Sequence, residues 1–271
     1  ILHLPKSSCN FSKSIKKIVT LHDLIPVTHP KTENLLNRMY WRLHFWLAAK
    51  FANKIITASE FSKEQISSMY KIPKRKIKVI YHGVENSFKK ENQKKINRIK
   101  EKYDINNKFF LFVGTIQPRK NIESCIKAIS IVRKTRGIDV DLVVAGRKGW
   151  KTNSDLLNKS FVKILGFVPE EDLPILYSAA EGLLYVSLAE GFGFPIIEAQ
   201  ACGCPVITSD ISSMPEIAGD GALLVNPYSV KEISEALEKL IKDKKLKNCL
   251  VGKGYKNVKR FSWEKCAKET I

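Results

Sequence analysis

The feature of this chain that most constrains its fold is a regular alternation of short apolar runs with helical patterns, which begins near residue 109. The predicted strands are Phe109–Val113, Val140–Ala145, Phe161–Leu165, Leu183–Ser187, Val206–Thr208 and Ala222–Val225. The predicted helices between them lie near 120–135, 170–180, 195–202 and 213–218. Because the runs are apolar throughout, each strand is expected to be buried on both faces. The pattern therefore predicts an α/β domain with a parallel sheet covered by helices.

Residues 1–88 carry a shorter set of the same kind. The predicted strands are Lys16–His22, Lys54–Ala58 and Lys76–Tyr81, and the predicted helices lie near 31–52 and 61–70. Three strands make too thin a sheet for a complete doubly wound domain. The chain also begins without Met, on an apolar run that reads like an internal strand, so we expect a fragment. We divide it into an incomplete first domain, residues 1–88, and a second domain, residues 89–271.

The composition of the two ends of the second domain predicts their secondary structure. The lysine-rich stretch 87–108 predicts a linker and the first helix of the domain. Residues 230–271 read as helices that are separated by Gly252 and Gly254.

One loop of the second domain has the composition of an anion site. Glu190 begins a glycine-rich segment that follows a predicted buried strand and leads into a helix at Pro195, a residue suited to the first helical position. Gly191 and Gly193 let the backbone approach a ligand closely, and the helix start favours phosphate. Because carboxylates repel phosphate, we expect Glu190 and Glu198 to bind neutral hydroxyl groups. The loop predicts a nucleotide-sugar site, although taken alone a corner with solvated acids explains it about as well.

A second loop, from Gly114 to Lys120, follows the strand Phe109–Val113 and precedes a helix. Ligands of open α/β sheets bind at the carboxyl ends of the strands, so Arg119 and Lys120 stand where phosphates would bind. A guanidinium forks onto phosphate oxygens and an ammonium adds a point charge. Two solvated cations in a lysine-rich chain are the alternative, and the position after a strand and a glycine favours the phosphate contact.

Two histidines end predicted strands of the first domain. A lone histidine is more often structural than catalytic. If the two domains face each other, however, His22 meets Arg119, Lys120 and the Glu190 loop across a cleft. His82 ends another strand near the hinge, and we expect at most a supporting role for it.

The charge of the chain limits its partners. A net charge of +19 attracts polyanions such as nucleic acid, anionic lipid or phosphorylated substrates. No nucleic-acid-binding motif accompanies the charge, so we expect no nucleic-acid partner. An anionic membrane surface is a second hypothesis, and a lysine-rich proteome would give the same composition. No apolar stretch is long enough to span a membrane, so we expect a cytoplasmic protein, peripheral at the inner membrane face.

Five motifs in this order resemble the retaining glycosyltransferases of family 4, whose GT-B fold sets two Rossmann-like domains across a cleft. They are His22-Asp23, Gly114-x-x-x-Pro118-Arg119-Lys120-Asn121, Gly166-Phe167-Val168, Glu190-Gly191-Phe192-Gly193-x-Pro195-x-x-Glu198-Ala199 and Ala201-Cys202-Gly203-Cys204-Pro205-Val206-Ile207. The likeness covers nearly the whole chain, and the ordered combination is specific. It departs from the family at the N-terminus, where the family's glycine-rich loop has no match.

The resemblance implies transfer of a sugar from a nucleotide donor, GDP-mannose or a UDP-sugar, with no metal ion or other cofactor. The acceptor would be a glycan or a lipid-linked molecule, in cell-surface polysaccharide synthesis. By the same resemblance Arg119 and Lys120 bind the diphosphate, and Glu190 binds the sugar hydroxyls. The implied catalytic residues are His22, Glu190, Arg119 and Lys120, and the implied substrate-binding residues are Gly114, Val168, Gly191, Phe192, Gly193 and Glu198.

The implied substrate contacts divide the donor into parts. Val168 would lie near the base, and Glu198 would accept a hydrogen bond from the ribose. The backbone N–H groups of Gly191, Phe192 and Gly193 would hold the sugar and phosphate. The carboxylate pair of a retaining glycosidase is not evident, so a covalent sugar-enzyme intermediate is not indicated. The resemblance implies attack on the same face of the sugar instead.

Two other functions remain open at this stage. A different GT-B enzyme, such as a glycogen synthase or a phosphorylase, would share the motifs, although no lysine for pyridoxal phosphate can be identified. From a different class, the chain could be a catalytically silent nucleotide-sugar-binding protein. Nucleotide binding without turnover would favour that function.

Overall fold

The structure, a computed structural model, describes residues 1–5, 15–29, 35–149 and 154–271. The described strands form two separate sheets, one in each half of the chain, and the strands of each sheet pair in parallel. This confirms the predicted α/β class.

The first sheet has the strand order β1-β2-β3-β4. Its strands are β1 Leu2–Leu4, β2 Lys17–Thr20, β3 Lys54–Thr57 and β4 Ile77–Val79, and the helices of this half are α1 Ile25–Thr28, α2 Leu35–Phe51 and α3 Glu60–Tyr70. The predicted count of three strands was too low, because the opening apolar run, which reads like an internal strand, does form β1 and pairs with β2, with Leu2 opposite Lys17. Residues 31–34 of the predicted helix 31–52 lie outside the described residues.

The second sheet has the strand order β10-β9-β8-β5-β6-β7. Its strands are β5 Phe109–Val113, β6 Asp141–Ala145, β7 Val162–Gly166, β8 Gly182–Tyr185, β9 Val206–Ser209 and β10 Ala222–Val225. The helices of this half are α4 Gln93–Lys102, α5 Ile122–Arg136, α6 Ser154–Leu157, α7 Leu173–Ala179, α8 Phe194–Ala201, α9 Met214–Ala218, α10 Val230–Lys242, α11 Lys244–Val258 and α12 Trp263–Thr270. The six predicted strands of this half are confirmed. Their apolar runs have the expected cause, since the residues from Phe109 to Phe112 are fully buried with helices packed on both faces of the sheet.

The prediction that Gly252 and Gly254 separate helices was wrong, because both lie inside α11. A Cβ atom on Gly221 would come within 2.7 Å of Gly254 Cα, so this pair permits close packing rather than a break. The helices begin instead at capping side chains. Asp243 accepts a hydrogen bond from the first turn of α11, and Ser262 accepts one from the first turn of α12.

The order of the second sheet reverses between β5 and β8. From β5 the chain proceeds to β6 and β7 on one side, and from β8 to β9 and β10 on the other. The loops that follow β5 and β8 therefore diverge and leave a crevice at the carboxyl edge of the sheet, which is the usual ligand position in such folds. Residues 114–121 and 186–193 lie at this crevice.

Polar and aromatic contacts join the two halves. The carboxylate of Glu216, in α9, accepts hydrogen bonds from the backbone N–H groups of Glu60 (2.8 Å) and Phe61 (3.1 Å) in the first turn of α3. An acid at a helix start is favourable because it meets the positive end of the helix dipole. Helix α12 returns to the first half, where a Cβ atom on Gly83 would lie 2.2 Å from the backbone nitrogen of Trp263. The first half thereby closes one side of the crevice.

Candidate active site

A buried ion-pair cluster lies at the crevice between β5 and β8. The carboxylate of Glu190, in the loop after β8, is 2.7 Å from the guanidinium of Arg119 and 2.8 Å from the ammonium of Lys120. Arg119 and Lys120 belong to the loop after β5. Arg119 also donates a hydrogen bond to the carbonyl oxygen of Ala189. The two cations and one carboxylate carry one net positive charge, which suits an anionic ligand, and the nearby Asp23 carboxyl reduces that charge when it is ionised.

The pKa values reflect this arrangement. Burial alone would raise the pKa of the Glu190 carboxyl, but the adjacent Lys120 and Arg119 hold it below its usual range. Burial lowers the pKa of Lys120, and the charge of Glu190 opposes that shift. Buried charges contribute little to stability when the cost of desolvation is counted, so a cluster of this kind is more readily explained by function.

Glu190 Oε1 is buried, and its neighbours are Lys120 and Tyr185. Lys120 Nζ lies 2.8 Å from this oxygen and donates a 2.8 Å hydrogen bond to the hydroxyl of Tyr185. Since a carboxylate offers about four lone-pair sites, Glu190 can accept a further hydrogen bond from a hydroxyl group that enters the cleft.

The glycine-rich loop is fixed by hydroxyl groups that bind its carbonyl oxygens. Ser213 Oγ contacts the carbonyl oxygens of Glu190 and Phe192, each at 2.9 Å. Gly193 has a φ of 115°, a conformation that favours glycine, and it precedes α8 directly. Gly191 is required for space, since a Cβ atom there would lie 2.6 Å from Cβ of Asp23 in the first half.

The ion-pair cluster opens into a cleft of about 510 Å³, which we call the ion-pair cleft. Lys120, Tyr185 and the loop from Glu190 to Pro195 line it from the second half, and His22, Asp23 and His82 line it from the first. The predicted residues His22, Lys120, Glu190, Gly191, Phe192 and Gly193 are thus brought together. Arg119 reaches this group through its ion pair with Glu190.

A second cleft of about 450 Å³, the Glu198 cleft, adjoins the first. Both clefts share Phe194 and Trp263 in their linings, and the second contains the predicted residues Val168 and Glu198. Gly114 lies outside the residues that line either cleft. A Cβ atom on Gly114 would be 3.4 Å from Lys120 Cε, so this glycine leaves room for the lysine side chain.

Glu198 lies in a largely apolar setting. Burial raises the pKa of its carboxyl to about 7, with a further contribution from the charge of Glu170 and opposition from a hydrogen bond that Tyr177 donates at 2.8 Å. A carboxyl with this pKa changes its charge near neutral pH. Its capacity to accept hydrogen bonds from a hydroxyl ligand is then sensitive to pH.

The two histidines of the first half differ in environment. His22 is exposed at the mouth of the ion-pair cleft, and its ring centroid is 5.4 Å from that of His82. His82 stacks on Phe194 at 5.1 Å. Burial and the adjacent His22 lower the pKa of His82 to about 4, so it is neutral near pH 7. The structure therefore places His22 at the cleft as predicted and gives His82 a packing role.

Sequence reasoning missed three residues of the clefts. The sequence pattern places Tyr185 only in a buried strand, although its hydroxyl contacts Lys120. It marks Asp23 only as the neighbour of His22, although burial raises the pKa of the Asp23 carboxyl and this residue faces Gly191. Trp263 carries no local signal, because it reaches both clefts only through the return of α12.

The described residues contain neither a candidate metal site nor a candidate membrane-spanning helix. No group of three or more His, Cys, Asp or Glu side chains within these ranges is arranged to hold a metal ion. Among the helices so described, none combines the length and apolarity needed to cross a bilayer.

Solved structures of several glycosyltransferases share this architecture. The sucrose-phosphate synthase of Thermosynechococcus elongatus superposes with a TM-score of 0.77 and 21% identity, covering 94% of this chain and 66% of that one. Anabaena Alr3699/HepE, solved in complex with UDP and glucose, gives a TM-score of 0.77 and 22% identity, covering 94% and 70%. The two parallel α/β halves, which face each other across a cleft, define a GT-B glycosyltransferase fold and confirm the predicted fold class.

Sequence comparison identifies the family. The family described as Glycosyl transferases group 1 matches residues 89–257, and Glycosyltransferase Family 4 matches residues 2–88. The chain belongs to the glycosyl transferases group 1 family, which confirms the predicted class of enzyme. The predicted division into domains 1–88 and 89–271 stays a prediction.

Curated relatives are longer than this chain. The O-antigen chain mannosyltransferase B of Escherichia coli is 31% identical over 94% of this chain and 69% of its own length. The O-antigen chain mannosyltransferase RfbU of Salmonella typhimurium is 33% identical over 82% of this chain and 60% of its own length. The chain thus spans about two thirds of the length of these relatives.

Proposed function

We propose that this chain contains the donor site of a retaining glycosyltransferase that moves a sugar from a nucleoside-diphosphate sugar to a glycan or lipid-linked acceptor. The donor is GDP-mannose or a UDP-sugar, and the pathway is cell-surface polysaccharide synthesis. Support comes from the relatives named as O-antigen mannosyltransferases and from the Anabaena structure that contains UDP and glucose. We further propose a cytoplasmic protein that is peripheral at the inner membrane face.

The observation that carries the proposal is the pairing of Glu190 with Arg119 and Lys120 at the switch point of the second sheet. A diphosphate needs cations, and a sugar needs hydrogen-bond acceptors within a few ångströms of them. The cluster supplies both in one cleft, because Glu190 lines it and a carboxylate has more lone-pair sites than its two cations occupy. The start of α8 adds the positive end of a helix to the same place.

The proposed chemistry is mainly electrostatic. The bond between the sugar C1 atom and the donor phosphate oxygen breaks, and negative charge grows on the leaving diphosphate. Arg119, Lys120 and the start of α8 stabilise that charge, so no metal ion is needed for this step. Removal of one such preorganised donor typically costs about 10²–10³-fold in rate.

The remaining residues are proposed to position the donor. Glu190 holds hydroxyl groups of the transferred sugar, while His22 approaches that sugar from the first half. In the adjoining Glu198 cleft, Glu198 accepts a hydrogen bond from the ribose and Val168 lies near the base. The acceptor attacks from the face that the diphosphate leaves, which retains the configuration at C1.

A donor screen tests the proposal. The free energy of unfolding of the chain is measured with GDP-mannose, UDP-glucose and ADP-glucose, each with its matching nucleoside as control. A true donor at about 100 times its dissociation constant adds about 2.7 kcal/mol. No stabilisation by any nucleotide sugar would contradict the proposal. The configuration of the product, measured by NMR, tests retention, and donor binding without turnover would instead favour a silent nucleotide-sugar-binding protein.

A further inference from the structure

Helix α2 is apolar on two opposite faces. Its inward face carries Phe45, Ala48 and Ala49, which are buried in the core of the first half. The core covers this inner face, whereas among the described residues no comparable apolar layer covers the outer face.

The outward face forms a continuous stripe. Five large apolar side chains occupy it at the spacing of one helix face, and their exposed fractions range from 42% to 79%. They are Leu36, Met39, Tyr40, Leu43 and Trp46, and we call this set the α2 stripe. Isolated exposed apolar residues are ordinary, but a contiguous patch marks an interaction surface.

The charge around the α2 stripe has one sign. Helix α2 contains no Asp or Glu, and Arg42 and Lys50 are exposed along it. Lys50 Nζ lies over the ring of Trp46, 4.7 Å from its centroid. Lys76 donates a 2.8 Å hydrogen bond to the carbonyl oxygen of Ala49, which brings the basic run 71–78 to the same end of the helix.

Nearby acidic side chains neutralise only part of the positive charge around the α2 stripe. In the basic run, Lys74 is paired with Glu64 at 2.6 Å. Lys71, Arg75 and Lys78 remain exposed, so the end of α2 keeps an excess of positive charge.

We infer that the α2 stripe is a docking surface for an anionic lipid bilayer. An interfacial helix combines Trp, Tyr and Leu side chains that enter the headgroup boundary with Lys and Arg side chains that meet anionic lipid. A neutral protein partner would explain the apolar residues but not the basic rim without acids. The charge complementarity therefore favours lipid.

The position of the α2 stripe gives the inference a consequence for the proposed function. Helix α1 begins three residues after His22 and packs against α2. Docking would hold the His22 side of the ion-pair cleft next to the bilayer, where a lipid-linked acceptor lies. The inference extends the proposed function, but vesicle binding is measured without donor or acceptor, so its failure would leave the proposed transfer reaction untouched.

The experiment uses vesicles of phosphatidylglycerol with phosphatidylcholine, and vesicles of phosphatidylcholine alone. We expect co-sedimentation with the anionic vesicles only, and quenching of the fluorescence of Trp46 by brominated lipid. Trp46→Phe identifies that signal, because the quenched part of the emission should disappear. The variant with Met39→Gln and Leu43→Gln should bind the anionic vesicles at least about tenfold more weakly than the unchanged chain. Loss of Arg42 and Lys50, each changed to Gln, should weaken binding about fivefold for each charge.

The matched control is Ile131→Gln with Leu224→Gln, which changes two exposed apolar residues of the second half. Circular dichroism establishes that each variant is folded. Equal vesicle binding by the Met39 and Leu43 variant and by this control would overturn the inference. Self-association that depends on Met39 and Leu43, without any vesicle binding, would also overturn it. Any longer native protein that contains this sequence should show the same binding; its loss there would mean that another segment covers the stripe, and would also overturn the inference.

Discussion

The hydroxyl of Ser59, in the first half of the chain, donates a 2.8 Å hydrogen bond to the carbonyl oxygen of Gly191, in the glycine-rich loop of the second half. Ser59 also caps α3 by accepting a hydrogen bond from Ser62 N. The start of α3 is therefore tied directly to the loop that forms the ion-pair cleft. The geometry of that loop depends on contact between the two halves.

Gly191→Ala should disturb this contact. The added Cβ atom would meet the Asp23 side chain at 2.6 Å and push the first half away from the loop. Since a displacement of about 1 Å can cost about 10²-fold in rate, we expect a loss of that order in transfer. The affinity for the free nucleoside should change little, because its proposed position is in the adjoining cleft.

Gly252→Ala is the matched control for that substitution. Gly252 lies inside α11, and a Cβ atom there would have nothing within 4 Å. We expect this change to raise the free energy of unfolding by about 0.5–1 kcal/mol without affecting transfer. Transfer by Gly191→Ala at the rate of the unchanged chain would show that the close approach to Asp23 does not matter.

Lys120→Ala should separate phosphate binding from nucleoside binding. The ammonium group of Lys120 lies in the ion-pair cleft, whereas the proposed nucleoside position is in the Glu198 cleft. Loss of a hydrogen bond to a charged group costs about 1.5–3 kcal/mol, so the dissociation constant of the nucleoside diphosphate should rise by about 10–100-fold. Calorimetry with the diphosphate and the nucleoside measures the difference, and Lys127→Ala, an exposed lysine of α5, is the control. Equal weakening of both ligands would assign Lys120 to folding.

Glu190→Gln should reduce transfer without weakening the free nucleotide. The change removes the carboxylate that pairs with Arg119 and Lys120, so both cations become more available to a diphosphate. We expect unchanged or tighter binding of the nucleoside diphosphate, together with a fall of about 10²–10³-fold in transfer. If Glu190→Gln binds the nucleoside diphosphate more weakly in equilibrium titrations, Glu190 serves to position the two cations.

The sequence could predict the secondary structure around the site because the signals there are local. The apolar run Phe109–Val113 and the glycine before Lys120 mark a strand and the loop at its carboxyl end. The ion pair between Lys120 and Glu190 could not be predicted, because it depends on which strands are neighbours in the sheet. The repulsion between carboxylates and phosphate predicts hydroxyl ligands for Glu190 but not its position between the two cations.

Two other features also depend on contacts that are distant in sequence. Trp263 reaches both clefts only because α12 crosses back to the first half. The exposure of the α2 stripe could not be predicted, because a helix that is apolar on two faces has a sequence similar to that of a buried helix. Which face meets the core is decided by packing, as the burial of Phe45 and the exposure of Leu43 show.

The last prediction concerns pH and Glu198. Burial raises the pKa of this carboxyl to about 7 in the folded chain, against an ordinary value of 4.5. Between these values the folded state binds more protons than the unfolded state. This contribution to stability is therefore lost as the pH rises from about 4.5 to 7. Urea unfolding at several pH values should show the slope, and Glu198→Gln should lack it.

The same titration should control nucleoside binding. In the proposed site a ribose hydroxyl donates to the ionised carboxylate of Glu198, so the affinity for a neutral nucleoside should rise about tenfold between pH 6 and pH 8. Calorimetry with the nucleoside measures this rise, and a 2′,3′-dideoxynucleoside, which lacks the hydroxyl groups, should show none. Glu198→Gln should bind more weakly at pH 8 and with little dependence on pH. A pH dependence of the Glu198→Gln variant equal to that of the unchanged chain would assign the titration to another group and would remove Glu198 from the ribose site.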